Sequence, residues 1–482
     1  MNAVPPAGRL VAGSLALVVT VGLSACEAGS ADRPGGNPPS PRGSLDVALS
    51  EPVEDALYPD VGDPGVDALH YGLDLTWDPS ARLLTGRERL TFRSTADDDE
   101  FQLDLDAALS VSEVRLDGEV ADHEQDGKNL VVEAGVEEDG RYEVEIDYAG
   151  SPAPVPAPST RPDLAGVGWT TESDGDVWTM QEPFGAYTWY AVNDHPSDKA
   201  LYDFTLRVAE PMVGVANGEL TSRTVRNGQQ VTRWHLAEPA SAYLVTVAFG
   251  EFRTSGATAA SGVPVSVWIL AEEAGQLKPL TRRAVRAVNW TEKRLGPYPF
   301  DTLGFLFVDS TSGMETQTMI TLGMHPYAMS LPVLVHEVVH HWWGDQVTPR
   351  DWRDLWMNEG MTMYLQAVFE SENGGQPLAK TIDQWSAGGT AMRRDVGPPR
   401  DYDPETFAER NVYYLPAVMW HDIRDRVGDA EFFRLARWWP ASHDNDNADY
   451  DDIVAWWSEQ SGVNLEPVFQ RHLLGETQPP TP

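Results

Sequence analysis

Cysteine is almost missing from this sequence: among 482 residues there is one, Cys26. A lone thiol excludes any disulfide within the chain, so its cores must be stable without covalent cross-links. Basic residues are also scarce, with 35 Lys and Arg against 74 Asp and Glu, for a formal charge of −39. A negative field of that size repels phosphates, which argues against nucleic acid and anionic membrane surfaces as partners. It suits a soluble, exported body. No internal repeat is present, and the length allows two or three domains with substantial cores.

The single cysteine closes an apolar run, LVAGSLALVVTVGLSA, that follows Arg9. A basic residue followed by an apolar stretch rather short for a stable membrane span is the layout of a signal peptide. The last four residues, Leu23-Ser24-Ala25-Cys26, resemble the bacterial lipobox. That resemblance implies acylation of Cys26 as the first residue of the mature protein, held by lipid at the extracellular face of the cell membrane. Residues 1–26 are therefore expected to be a lipoprotein signal peptide. Beyond them, as far as about Asp46, Gly, Pro and Ser predominate and apolar residues are almost absent. Such a composition cannot build a core, and residues 27–55 are expected to be a flexible tether.

From about Ala68 to Phe252 the segments HYGLDLTW, RERLTFRS, EFQLDLD, RYEVEIDY, YDFTLRV and AYLVTVAFGEF alternate apolar and polar residues between turn formers. They predict an antiparallel β domain over 56–258, interrupted by a proline-rich joint, SPAPVPAPST, expected to run over the surface. After Gly262, VPVSVWIL and LGFLFVDS remain strand-like. By contrast, LKPLTRRAVRAVNWTEKRLG, LPVLVHEVVHHWWG, LWMNEGMTMYLQAVFE and PAVMWHDIRDRVG have helical spacing. A last helix is expected to start at an Asp449 N-cap, with Asp452 three residues on, and to stop at Gly462. The predicted fold class is multidomain α+β: the β domain, then a mainly helical domain over 259–475, then a disordered tail over 476–482.

The helical half contains VLVHEVVHHWWGD, Val333 to Asp345, in which His336, Glu337 and His340 sit in a run apolar enough to be buried. Residues four apart on a helix lie on one face, one turn apart, so two imidazoles can reach the same ion at about 2.0–2.1 Å. Glu337 is rotated off that line, yet near enough to touch a water at the metal's open position, as in the HExxH zinc motif. Chance alone would produce this motif in roughly one chain in a hundred of this size. A catalytic zinc also needs a third protein ligand. Glu359, in the helical pattern DWRDLWMNEGMTMYLQA, follows His340 after eighteen residues, enough for a turn and a returning helix. His341 points off the metal face and Trp342 and Trp343 are expected in the core. The segment DNDNADYDD lacks the glycine and the distal glutamate of a calcium loop and is expected to be a solvated turn.

His336-Glu337-Val338-Val339-His340, eighteen residues, then Glu359 in WMNEG, resembles the M1 family of zinc aminopeptidases, which are gluzincins. TWYAVNDHPSDKALYDFTLRV with VANGEL, LGPYPFDTLGF, METQT and SGVNLEPVFQRHL extend the resemblance from about Ala68 to Leu474. It implies a thermolysin-like peptidase domain holding one Zn2+ per chain on His336, His340 and Glu359, with Glu337 as general base. Tyr413, in NVYYLPAVMW, matches the family tyrosine that stabilises the oxyanion, although Leu415-Pro416 stand where Lys-Gly is usual. Glu315, in Ser312-Gly313-Met314-Glu315-Thr316, and Glu182, in MQEPFGAYTWYAVNDHP, match the two glutamates that hold the substrate's free amino group. The expected partners are peptides with a free amino terminus, cut by a monomer whose cleft is open because the chain ends soon after the peptidase domain. Two rivals carry different chemistry: a zinc endopeptidase with a weakened amine clamp, and a surface binding protein that keeps a metal without turnover.

Overall fold

The computed structural model describes residues 42–475 and 477. The expected signal peptide, Cys26, the first part of the tether and all but one residue of the tail lie outside them. The alternating segments form an eight-stranded sheet ordered Glu219–Arg226, Gln229–Ser241, Lys199–Ala209, Val66–Asp78, Leu83–Ser94, Arg141–Gly150, Leu109–Leu116 and Glu119–Val120. Along Leu83–Ser94 every second residue from Leu84 is buried, so the period of two buries one face. All neighbours run antiparallel except Val66–Asp78 with Lys199–Ala209, paired in parallel from His70 against Leu201. A parallel pair needs a long crossover, and the intervening chain supplies it with a three-stranded sheet and three strands of a five-stranded one.

The tether ends earlier than residue 55. Leu45 and Ala48 are buried with Leu69. Ser50 N donates to Asp67 Oδ1 at 3.0 Å, and Ser50 Oγ accepts from Lys199 N at 3.1 Å. Asp55, also buried, accepts from Trp352 N at 2.8 Å. Two apolar residues and two polar ones that satisfy backbone donors are enough to tie this segment down.

The boundary expected at 258/259 also moves. Phe252–Thr258 pairs with Pro264–Leu270 in a five-stranded mixed sheet that continues through Leu303–Val308 and Met319–Gly323 to a short edge strand, Gly313–Met314. That sheet packs with helices α1 (Leu277–Leu295), α2 (Leu331–His340) and α3 (Trp356–Glu372) around a second core. Helices α4 (Leu378–Val396), α5 (Arg410–Val427), α6 (Asp429–Ser442), α7 (Tyr450–Ser461) and α8 (Glu466–Leu473) complete it. The expected cap of α7 is present: Asp449 and Asp452 form a reciprocal capping box, and Gly462 closes the helix in the left-handed conformation at φ 68°.

Helix α5 begins at Arg410, six residues before Pro416, so the proline lies inside the helix and not in its first turn. Burial of Asn411, Val412 and Leu415 carries the helix through this position despite the backbone hydrogen bond that a proline forfeits. Among the described residues no helix is long and apolar enough to cross a membrane.

Candidate metal centre

Helix α2 is apolar nearly all round: Val333, Leu334, Val335, Val338 and Val339 are buried, and Pro332 occupies its first turn. It ends at His340, and the chain turns back at Gly344, where φ is 138°. A Cβ there would stand 3.2 Å from the Asn358 side chain and 3.4 Å from His340 Nδ1, so glycine is what lets this turn lie against His340. The Asp351 side chain accepts from Arg353 N and Asp354 from Trp356 Nε1, which orders the entry into α3. Glu359 lies in the first turn of α3, where the helix dipole favours an anion.

The two helices bring three donor atoms together. His336 Nε2 is 3.2 Å from His340 Nε2, and Glu359 Oε2 is 3.4 Å from the first and 3.5 Å from the second. Ligands about 2.0–2.1 Å from a tetrahedral ion stand roughly 3.3–3.4 Å apart, so this spacing is that of a zinc site. His340 Nδ1 faces the Trp343 carbonyl at 3.3 Å, which favours the tautomer that leaves Nε2 bare. Glu359 Oε2 is buried with no hydrogen-bond partner, a costly state that a cation in the triangle would relieve. The donor set fits zinc.

Four carboxylates, from Glu182, Glu315, Glu337 and Glu359, meet the two imidazoles in a cavity of about 550 Å³. Burial pushes the Glu337 carboxyl up to about 8, aided by Glu315 and Glu359. Burial likewise raises Glu182, next to Glu315, and raises Glu315 itself, next to Glu359. For Glu359 burial is outweighed by His340 and His336, which hold it well below the usual carboxylate range. Glu182 Oε1 and Glu315 Oε1 are buried and without hydrogen-bond partners. Three of these carboxyl groups are driven toward their protonated forms unless a cation joins them, and a metal dication would favour their charged forms.

Each expected site residue of the described chain lines this cavity. The Tyr413 ring lies over His336, with centroids 6.4 Å apart and planes 23° from parallel. Tyr414 also borders the cavity, with its ring stacked on Trp385 at 5.1 Å. His341 is a packing residue: Nδ1 meets Tyr298 Oη at 2.8 Å, Nε2 faces Asp345, and burial pushes the ring down to about 3. Trp342 and Trp343 are core residues. The acidic turn before Asp449 is a strap, whose Asn447–Ala448 pairs with Thr348–Pro349 and whose Asp446 carbonyl accepts from Lys199 Nζ.

Three contributions escaped the sequence reading. Arg161, from the proline-rich joint, donates from Nη1 to Tyr413 Oη at 3.0 Å. At Gly313 a Cβ would lie 3.3 Å from Glu337 Oε1 and 2.6 Å from Leu322 Cδ2, so this glycine makes room beside the expected base. At Gly360 a Cβ would lie 2.4 Å from Pro416 Cβ, so the residue after Glu359 sets how closely α3 and α5 approach. All three depend on contacts between distant segments, which leave no periodic signal.

A β-rich domain followed by a helical domain with a His-His-Glu centre and an adjacent buried glutamate defines a two-domain metallopeptidase architecture. Comparison with known proteins agrees: the Peptidase M1 N-terminal domain matches residues 67–244 and the Peptidase family M1 domain matches 281–472. The chain belongs to peptidase family M1. Aminopeptidase N of Haemophilus influenzae is 23% identical over 433 residues, 82% of this chain and 47% of that protein. The puromycin-sensitive aminopeptidase of Caenorhabditis elegans is 24% identical over 319 residues, 58% of this chain and 34% of its own. The chain thus spans about half or less of the length of these curated relatives. The crystal structure of an M1 zinc metallopeptidase from Deinococcus radiodurans superposes with a TM-score of 0.80 at 25% identity, covering 89% of this chain and 98% of that one.

Proposed function

We propose that this protein is a zinc aminopeptidase that removes residues from the free amino terminus of peptides, with one zinc per chain on His336, His340 and Glu359. The observation that carries this reading is the triangle of donor atoms, 3.2 to 3.5 Å on a side, opening onto a cavity with two unpaired carboxylate oxygens beyond it. When bound, zinc supplies a Lewis acid that polarises a peptide carbonyl and acidifies water. Glu337 takes a proton from the attacking water and hands it to the leaving amine. Tyr413 donates a hydrogen bond to the oxygen that gains charge in the tetrahedral state. Glu182 and Glu315 hold the substrate ammonium by charge-assisted hydrogen bonds and limit how much peptide lies beyond the cut bond.

Support comes from relatives named as aminopeptidases and from a Deinococcus radiodurans mutant enzyme bound to a Tyr-Ser-Ala substrate. The deciding experiment compares aminoacyl amides with amino-blocked peptides and measures zinc on the same sample. Hydrolysis of the free amides alone, lost on chelation, is the expected result. Equal cleavage of blocked peptides would make the protein an endopeptidase, and tight zinc with no hydrolysis of either would make it a binding protein. We also propose that Cys26 carries a lipid anchor at the extracellular face of a bacterial membrane. Labelled fatty acid incorporated by the wild type and lost in Cys26→Ala is the expected outcome, and equal labelling would refute it.

A further inference from the structure

The proline-rich joint does not merely cross the surface. Phe407 N donates to the Pro158 carbonyl at 2.8 Å, and Ser159 Oγ donates to the Phe407 carbonyl at 2.8 Å. These bonds fasten the joint to the loop entering α5, six residues before the tyrosine. The next side chain to reach inward is Arg161. Its guanidinium is held on both sides: Nε and Nη2 donate to Asp163 at 3.2 and 2.6 Å, while Nη1 donates to the Ala408 carbonyl at 3.0 Å. The remaining direction of Nη1 ends on Tyr413 Oη, also at 3.0 Å.

The direction of that last bond is not ambiguous. A guanidinium has no acceptor, so Arg161 donates and the phenol oxygen accepts. Tyr413 has one hydroxyl proton, and with Arg161 on one side of the oxygen that proton must point elsewhere. The hydroxyl meets Glu359 on its other side and the ring borders the cavity, so the direction left open is toward the triangle of donor atoms. An arginine already committed to Asp163 and Ala408 is poorly placed to bind substrate as well, whereas it is well placed to hold another side chain.

We propose that Arg161 is the positioning residue for Tyr413, turning its hydroxyl proton toward the reacting carbonyl, with Asp163 as the anchor of the arginine. The inference rests on the aminopeptidase reading given above and deepens it. It places part of the oxyanion device in the amino-terminal domain. Without Arg161 the hydroxyl is free to rotate and to donate to water, so the tetrahedral state loses stabilisation that the bound substrate never felt.

The test uses the zinc-loaded full chain and the variants Arg161→Gln, Arg161→Lys, Tyr413→Phe and the Arg161→Gln/Tyr413→Phe pair. Two quantities are read: kcat and KM on an aminoacyl amide, and calorimetric affinity for a phosphinic pseudodipeptide with a free amine, a mimic of the tetrahedral state. Arg161→Gln should lower kcat about 10-fold, less than the loss of a whole oxyanion donor, with KM and zinc content unchanged. Phosphinate affinity should fall by a similar factor. In the Tyr413→Phe background Arg161→Gln should cost nothing further, and Arg161→Lys should recover part of the loss. An equal loss with and without the tyrosine hydroxyl would make Arg161 a structural clip and overturn the proposal. A raised KM at unchanged kcat would make it a substrate-binding residue, with the same consequence. Should Arg161→Gln fail to fold, Asp163→Asn, which loosens the guanidinium without removing it, must show a smaller loss with the same dependence on Tyr413. A wild type that cleaves no amide would refute the aminopeptidase reading, while the phosphinate cycle would still decide the role of Arg161.

Discussion

The contact of α3 with α5 at Gly360 tests whether helix packing, and not His336, His340 and Glu359 alone, sets the geometry of the centre. Gly360 follows Glu359, and a Cβ at this position would stand 2.4 Å from Pro416 Cβ and 3.3 Å from its Cγ. Carbon atoms rest at about 3.5–4.0 Å, so Gly360→Ala leaves a shortfall of more than ~1 Å. A proline ring cannot swing aside as a flexible side chain would, and the backbone behind it is helical. The two helices must therefore separate. Overpacking of this kind costs about 1–3 kcal/mol, against which alanine regains about 1 kcal/mol of helix propensity over glycine. The net loss of stability is modest, a fall of a few degrees in melting temperature.

Activity should suffer more than stability. Glu359 rides on α3 and Tyr413 on α5, and a misplacement near 1 Å is enough to cost up to about 100-fold in rate. Gly360→Ala is therefore expected to melt slightly earlier, bind zinc more weakly and lose about 10- to 100-fold in kcat/KM. Adding Pro416→Gly, which removes ring atoms that the new methyl strikes, should recover part of that loss. Calorimetry, metal analysis and amide hydrolysis on the same preparations check it. A Gly360→Ala protein with unchanged melting, zinc content and turnover would show that the helices yield freely and that the argument from packing is wrong.

Other perturbations have definite signs. Glu337→Gln should keep its zinc and lose about 10²–10⁴-fold in kcat, and full turnover with zinc bound would remove Glu337 from the proton path. Chelation should lower the melting temperature as well as abolish hydrolysis, because a ligand held only by the folded state contributes about 4 kcal/mol at a thousand times its Kd. Zinc must restore both, and a melting curve indifferent to chelator would contradict the site. Burial pushes Asp194 up to about 7 from an ordinary 3.8, although its Oδ2 accepts from Gly185 and Tyr187 N–H groups. The folded state then holds a proton that the unfolded chain releases, so this group's contribution to stability falls as pH rises from about 4 to 7, by about 4 kcal/mol in all. The melting temperature of Asp194→Asn relative to wild type should accordingly be higher at pH 8 than at pH 4, and a pH-independent difference would refute the assignment.

Much of the centre was legible because it is local. A helix repeats every 3.6 residues, so the spacing of His336 and His340 already places both rings on one face of α2. The same rule separates His341 from His336 and His340, and the structure gives it to Tyr298 and Asp345. Strand alternation announced the amino-terminal sheet, and Asp449, Asp452 and Gly462 announced both ends of α7. The family resemblance named Glu359, Glu337, Tyr413, Glu315 and Glu182, and all of them line one cavity.

What stayed hidden is what depends on partners far away in the chain. Composition marked residues near 45–55 as unable to form a core, yet Leu45, Ala48 and Asp55 find one already built by other segments. The proline-rich joint had no helical or strand period, and nothing in it foretold that Arg161 would meet Tyr413, 252 residues later. Pro416 stood out only as a departure from the family pattern and Gly360 only as part of WMNEG, and that the two meet is decided where α3 touches α5. Periodicity and capping are properties of neighbouring residues, so the sequence alone determined the helices, the strands and the two-histidine face. The distance between those elements, and the side chains that close the cavity from another domain, came from packing, which joins residues that share no local pattern.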